Sequence, residues 1–431
     1  MQTIALVDAN HGRGHHLTYM RFFCKTLLNL GYRVISFYPD PVAVTDWLQS
    51  ECPQHLDNFH AFEIGEHDHR KLPVWGEIPS NLELPFIGKV PSNLQPLIVL
   101  ARWRYTAELI QKAVKQVGFE PDLVFLNWLD DYFSYFLTHH LIDLIFPYNW
   151  SGIYFRPGDL RFKKLSLIPH YATARSPRCK ALTLLDEEFA QTIVDKLDAP
   201  VIPFPDLTDE AGPDPNLDII KQIREKAGNR KIIGLIGALS KRKGLLTFLE
   251  VAEKSIDKDW FFVMAGPLNQ STFHQEYNQR LADDFKKVQS ILESPPDNCF
   301  FHLQSIPDGP QFNAFINAFD ILFAAYENFP YSSNILTKAA VFQKPVIVSD
   351  GFCMAKRVQQ FQFGVSIPEG DVAECIQAIQ QLCDSPSQDM PQFRFDFDGY
   401  KQLHSTERLG QIFQSLLGSR EMQTALAVGV S

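Results

Sequence analysis

Twice along this chain a short apolar, β-branched run ends in a glycine-bearing turn, enters a helical pattern and returns to another apolar run. That unit admits few folds, because strand, turn, helix and strand in succession form a parallel sheet with crossover helices. The first series starts at Thr3–Val7, turns through Asp8-Ala9-Asn10-His11-Gly12-Arg13-Gly14, continues as a helix to Leu28 and reaches a strand at Val34–Tyr38. Leu123–Leu126, Gly152–Phe155 and Ala181–Leu185 read as further strands. The Pro-, Asn- and Gly-rich stretch from Leu72 to Pro96 lacks periodicity and reads as an insertion or long loop. Prolines at 203, 205, 213 and 215, with Gly212 and several acids, mark a break.

The second series is cleaner. Ile232–Ile236, Trp260–Ala265, Cys299–Leu303, Asp320–Ala324 and Val346–Val348 read as strands. Gly244–Lys254, Phe273–Leu292, the run through Phe342, and Asp371–Leu382 read as helices. The expected fold class is therefore α/β, with two Rossmann-like, doubly wound domains. They span residues 1–202 and 217–400, joined by a 203–216 linker. A helical segment at 401–431 is suited to packing back on the first domain. A length of 431 residues supports two cores rather than one.

Charge and cysteine usage exclude several function classes. A net charge of −10 argues against nucleic-acid binding, which needs a basic surface. One basic run departs from that balance, with Arg156, Arg161, Lys163, Lys164, Arg175, Arg178 and Lys180 against Asp159. It reads first as a solvated loop, and otherwise as a contact for an anionic acceptor or a peripheral membrane surface. The 7 cysteines are scattered without metal-ligand spacing, which fits a reduced, cytoplasmic protein. The N-terminus lacks the basic and apolar regions of a signal peptide, and no apolar run is long enough to span a bilayer. The sequons at Asn149 and Asn269 then read as chance.

Ligands of open α/β sheets bind at the carboxyl ends of strands. Four loops there carry chemistry. In the first, Gly12 and Gly14 let a backbone approach an acceptor or a phosphate, and His15 and His16 are candidate acids, bases or hydrogen-bond donors. Capping histidines in a tight turn are the structural alternative. The second is Gly237-Ala238-Leu239-Ser240-Lys241-Arg242-Lys243-Gly244, where cations beside a helix start suit a diphosphate. The third runs from Tyr326 to Asn334. Glu327 stands at a strand end, Ser332, Ser333 and Asn334 suit a helix cap, and Lys338 follows one turn later on the same face. The fourth, Asn127-Trp128-Leu129-Asp130-Asp131, holds paired acids; Asp130 is either a base or a helix cap.

GALSKRKG resembles the G-R-L-x-x-x-K-G stretch of GT-B glycosyltransferases, the large retaining family 4 in particular. WFFVMAGP, FDILFAAYENF, KAAVFQKPVIVSDGF, and Gly364 with Asp371 resemble that family's later motifs; ALTLLDEEF and VIPFPDLTDE resemble its approach to the interdomain linker. The resemblance implies a GT-B architecture of two facing domains. It implies transfer of a sugar from a nucleotide diphosphate sugar to an acceptor hydroxyl, with retention, without a metal or other cofactor, and with closure about the linker. Donor-binding residues would be Gly237, Arg242, Lys243, Gly266, Tyr331, Ser332, Ser333, Asn334 and Lys338. Glu327 would hold the sugar, and His15 or His16 would face the reacting centre. The acceptor class, whether saccharide, lipid-linked or small molecule, stays open. Three departures stand out, one being a segment between Glu327 and Lys338 about three residues longer than the family's loop. Ala238 replaces the family's arginine, with Arg242 as a substitute from another position. The family's ribose-binding glutamate falls at Ile335 or Lys338, and neither is an acid. These departures motivate two alternatives: a non-catalytic relative that binds a nucleotide, a sugar or a protein, and a nucleotide-sugar epimerase on the same fold.

Overall fold

A computed structural model describes residues 1–10, 15–65, 95–157, 168–169, 171–194, 197, 199–270, 279–384 and 395–418. The chain divides into two compact units, Met1–Pro205 with Ser405–Ser431, and Asp206–His404.

The first unit is a 7-stranded sheet in the order β3-β2-β1-β4-β5-β6-β7. Its strands are β1 (Thr3–Val7), β2 (Arg33–Tyr38), β3 (Phe59–Glu63), β4 (Leu123–Leu126), β5 (Trp150–Ile153), β6 (Cys179–Leu184) and β7 (Val201–Pro203). All their pairings are parallel. Helices α1 (His16–Asn29), α2 (Pro41–Glu51), α3 (Gln95–Val117), α4 (His139–Ile145) and α5 (Glu187–Ile193) connect them. Local chemistry sets the helix starts. Asp40 accepts the Ala43 N–H ahead of Pro41, and Asp186 accepts the Phe189 N–H. Every residue of β1 and β4 is buried, as a parallel sheet covered on both faces requires. The buried Arg102 and Trp103 of α3 donate to the backbone carbonyls of Asp131 and Tyr132, which fixes the turn after β4.

The second unit is a 6-stranded sheet in the order β10-β9-β8-β11-β12-β13, parallel throughout. Its strands are β8 (Lys231–Ile236), β9 (Trp260–Ala265), β10 (Cys299–His302), β11 (Ile321–Ala324), β12 (Val346–Ser349) and β13 (Gly364–Ile367). Its helices are α6 (Asp218–Ala227), α7 (Leu245–Lys254), α8 (Gln279–Glu293), α9 (Pro310–Ala318), α10 (Ile335–Val341), α11 (Cys353–Phe361), α12 (Val372–Asp384) and α13 (Phe397–Leu403). The chain then returns to the first unit as α14 (Thr406–Leu417), capped by Ser405 on the Arg408 N–H. Phe413 of α14 meets Phe23 and Phe125 edge-on, with ring centroids 5.8 and 4.9 Å away.

Two expectations change, and a third lies almost wholly outside the described residues. The 203–216 stretch is not an open linker: Pro203 ends β7, and Asp206, Leu207 and Thr208 are buried in the second unit. Asp206 is bonded there through its backbone N–H to His404 and its carbonyl to Thr337. The second unit also extends past residue 400, to His404: Tyr400 of α13 and His404 just after it are both buried. The expected insertion at 72–96 lies outside the described residues except for Gln95 and Pro96, which open α3.

Candidate functional site

In each unit the first and fourth strands are neighbours, and the order of strands reverses between them. Loops leaving those strands diverge, and the crevice between them is where such sheets take ligands. In the second unit the two strands are β8 and β11.

The loop after β8 begins at Gly237, whose φ of +101° suits glycine. Gly266, at the end of β9, has φ +126°, and a Cβ there would stand 2.2 Å from the Gly237 carbonyl oxygen. The two strand ends therefore meet as bare backbone. The Lys243 ammonium crosses this floor and donates to the Ile236 carbonyl at 2.7 Å. A Cβ on Gly237 would lie 2.6 Å from that nitrogen. Gly244 takes φ +69° and opens α7, and a Cβ on it would sit 2.3 Å from the Ala325 carbonyl of the β11 loop. The Glu327 N–H donates to the Arg242 carbonyl at 2.7 Å. The two switch-point loops thus touch through backbone. Arg242 lays its guanidinium over Phe329 at 4.3 Å and Tyr326 at 5.4 Å. Lys241 pairs with Asp284 of α8.

The β11 loop is pinned further along. Asn328 has φ +48°, and its N–H donates to the Glu369 carboxylate at 2.7 Å. Tyr331 packs its ring on Phe329, with centroids 5.6 Å apart. Ser332 is not a free hydroxyl: it donates to the Asp206 carboxylate and accepts from Arg357. Asn334 occupies the cap position of α10 without a side-chain cap bond, and its Nδ2 is buried without a partner. The Ser333 carbonyl accepts the Leu336 N–H.

Lys338 requires the clearest correction. It is 1% exposed. Its ammonium donates to the Asp209 carbonyl at 2.7 Å and to Asn313, with Asp308 3.8 Å away. Burial lowers its pKa, against the pull of Asp308, Asp209 and Glu210. It binds the segment entering the unit, so it is no donor ligand. Sequence reasoning also passed over Arg357, Asp206, Asn313 and Glu369. Only Arg357 carried a local signal: it falls on the buried face of α11 with Met354, Val358 and Phe361, where a charge at helical spacing is out of place.

In the first unit the switch point lies between β1 and β4. The buried Asp8 ends β1, accepts the Asn10 N–H, and stands 2.9 Å from His16 Nδ1. The His16 ring tilts against Trp128, with centroids 4.9 Å apart, and Trp128 stacks on Phe155 at 4.1 Å. His15 is the residue before α1 and makes no side-chain cap bond, so the capping alternative does not describe it. Asp130 accepts the N–H groups of Phe155 and Arg156, each at 2.8 Å. Burial pushes its pKa up to about 7 against those two bonds. The residue thus clamps the β5 loop and does not cap a helix. Asn127, beside it, is buried with both side-chain polar atoms unpartnered. Gly12 and Gly14 lie outside the described residues, as do Arg161, Lys163 and Lys164 of the basic run. Among the described residues no group of three potential ligands could hold a metal ion. No helix among them is long and apolar enough to cross a membrane.

Residues 217–394 match the family of glycosyl transferases group 1. Among solved structures, the chain is similar to sucrose-phosphate synthase from Thermosynechococcus elongatus. The TM-score is 0.61 at 15% identity, covering 96% of this chain and 99% of that one. It is similar to Anabaena HepE in complex with UDP and glucose, with TM-score 0.60 at 14% identity over 97% and 99% of the two chains. It is similar also to an Escherichia coli trehalose-6-phosphate protein bound with UDP-2-fluoro glucose, with TM-score 0.66 at 11% identity over 97% and 99%. At such identities the likeness is one of fold, and that fold is the GT-B architecture. Comparison with curated proteins finds no match.

Proposed function

We propose that this chain is a glycosyltransferase in which the second unit, matched by the glycosyl transferases group 1 family over residues 217–394, holds a nucleotide diphosphate sugar and yields its sugar to an acceptor hydroxyl. The observation that carries the reading is the bare-backbone floor of Gly237 and Gly266, crossed by Lys243 at the β8–β11 switch point. A diphosphate needs close backbone approach and positive charge, and this place offers both. As the glycosidic bond breaks, charge develops on the departing diphosphate. Lys243, Arg242 and the N-terminus of α7 meet it there. Glu327 accepts hydrogen bonds from sugar hydroxyls. Tyr331, Ser333 and Asn334 belong to the same loop. With Lys338 withdrawn into the protein, ribose is recognised by other groups.

On the acceptor side, His16 is oriented through Nδ1 by Asp8, so its other ring nitrogen is placed to take a hydroxyl proton. Trp128 and Phe155 offer an aromatic face to a sugar ring. The cations make the proposed reaction metal-independent, and family likeness favours retention. The cytoplasm, where thiols stay reduced, suits a chain in which all the cysteines are free.

Uridine nucleotides are the first donors to test, because two of the similar structures hold them. Transfer or hydrolysis should appear with one donor of a UDP-, ADP- and GDP-sugar panel, persist in EDTA, give an anomer of retained configuration by NMR, and fall at least about 100-fold in Lys243→Ala and Glu327→Ala. Unchanged turnover in both variants would refute the assignment.

A further inference from the structure

The β11 loop that carries Glu327 is held at both ends. One end is fixed where the Glu327 N–H meets the Arg242 carbonyl and the Asn328 N–H meets Glu369. The other end is fixed by a buried polar chain. The Ser332 hydroxyl donates to the Asp206 carboxylate, and the Arg357 guanidinium donates to the same hydroxyl oxygen. Arg357 also reaches the Tyr400 hydroxyl of α13 at 3.4 Å. Asp206 is anchored in turn: its carbonyl accepts the Thr337 hydroxyl at 2.6 Å, and its N–H donates to His404 Nδ1 at 2.9 Å. Arg357 is 3% exposed and Asp206 2% exposed.

A buried cation and a buried anion are costly apart and compensate each other when linked. Here the link runs through one serine of the donor loop. That hydroxyl is the joint by which α11, α13 and the 206–209 segment set the loop's position. We infer that Arg357, Ser332 and Asp206 form a positioning device for donor binding: they touch no substrate, and they fix the 327–332 loop in the conformation that receives the donor. The inference rests on the donor-domain reading above. Its logic is entropic. A loop already held loses little freedom when ligand binds, whereas a released one must be ordered at that moment.

UDP alone is the probe, with affinity measured by calorimetry and folding by thermal unfolding of the full chain. S332A and R357Q should weaken UDP binding about 10-fold or more with the cooperative unfolding transition retained. S332T, which keeps the hydroxyl, should restore most of the affinity. In turnover assays the donor KM should rise more than kcat falls, because the machinery at Lys243 and Glu327 is untouched. R357Q gives an independent reading should S332A fail to fold. Wild-type affinity in both S332A and R357Q overturns the inference and leaves the donor domain standing. A wild-type protein that binds none of UDP, ADP and GDP overturns the donor-domain reading, and the inference with it.

Discussion

Lys338 and Gly237 show how single residues divide the labour in the second unit. Lys338 lies where a solvent-facing cation would be tolerant of change, yet its ammonium is enclosed by Asp209, Asn313 and Asp308. Lys338→Glu would bring a carboxylate against the Asp308 carboxylate, the Asp209 carbonyl and the Asn313 amide oxygen, and should destabilise the protein by about 3–5 kcal/mol. Lys338→Met, which keeps the stem, should do less harm. A chemical denaturation series settles it: a loss under about 0.5 kcal/mol for Lys338→Glu would mean the side chain is at the surface. Gly237 is the converse case. Its positive φ and the Lys243 nitrogen 2.6 Å from any Cβ make alanine doubly unwelcome. Lys243 has a flexible stem and can yield, so Gly237→Ala should cost only about 1–3 kcal/mol in stability. Moving the ammonium off the Gly237–Gly266 floor should cost more in function if the proposed donor site is right, lowering UDP affinity at least about 10-fold in titration calorimetry.

At the scale of elements, the entry segment 206–209 and helix α13 meet at His404. Its Nδ1 accepts the Asp206 N–H, and burial first, then the Arg357 charge, hold its pKa well below the ordinary value. The sign follows from that direction. The unfolded chain binds a proton near pH 6.5 that the folded chain refuses, so stability is complete above pH 6.5 and falls as the pH drops below it. Between 6.5 and the depressed folded value the slope should approach about 1.4 kcal/mol per pH unit. His404→Gln retains an acceptor without the titration, and its unfolding free energy should be flatter between pH 6.5 and 5; a parallel profile would show that another group dominates. None of this was legible in the sequence, where residues 203–216 read as a linker. Alternation of apolar runs and helical patterns located the strands that position the site, from Thr3–Val7 to Val346–Ser349, because those signals are local. Strands β3, β7 and β13 escaped: β7 has three residues, and β3 and β13 are only partly buried and mix small or polar residues into the run, unlike the fully apolar four-residue β4 and β11. Glu327, Lys243 and the glycines were visible at strand ends. Asp206 and Lys338 were misread because the Ser332 partner of Asp206 and the Asp209 partner of Lys338 lie more than 100 residues away, and even Asn313 is 25 residues from Lys338, so spacing along one element says nothing about such pairs.

The whole molecule is two sheets with the same switch, β1 against β4 and β8 against β11, and the candidate residues of each unit lie in the loops leaving those strands. Continuity of chain separates them. The second unit is one stretch, Asp206–His404, with its own sheet and core; the first is built from both ends of the chain. Helix α14 buries Leu409, Ile412, Phe413 and Leu416 in that first unit. At about 1.5–3 kcal/mol for each large apolar side chain, their removal costs roughly 6–12 kcal/mol. A whole domain has only about 5–15 kcal/mol to lose. A chain ending at His404 should therefore lose the folded first unit, with protease sensitivity across β1 to β7 and the burial of Phe23 and Phe125 undone. Residues 206–404 alone should fold and bind UDP, because every group assigned to the donor, and every member of the Arg357–Ser332–Asp206 chain, lies within them. Limited proteolysis of the truncated chain and UDP titration of the isolated stretch test the two halves of this argument separately. A protease-resistant first unit without α14 would show that its packing is dispensable. An isolated second unit that folds but does not bind UDP would show that the donor site needs residues from outside it.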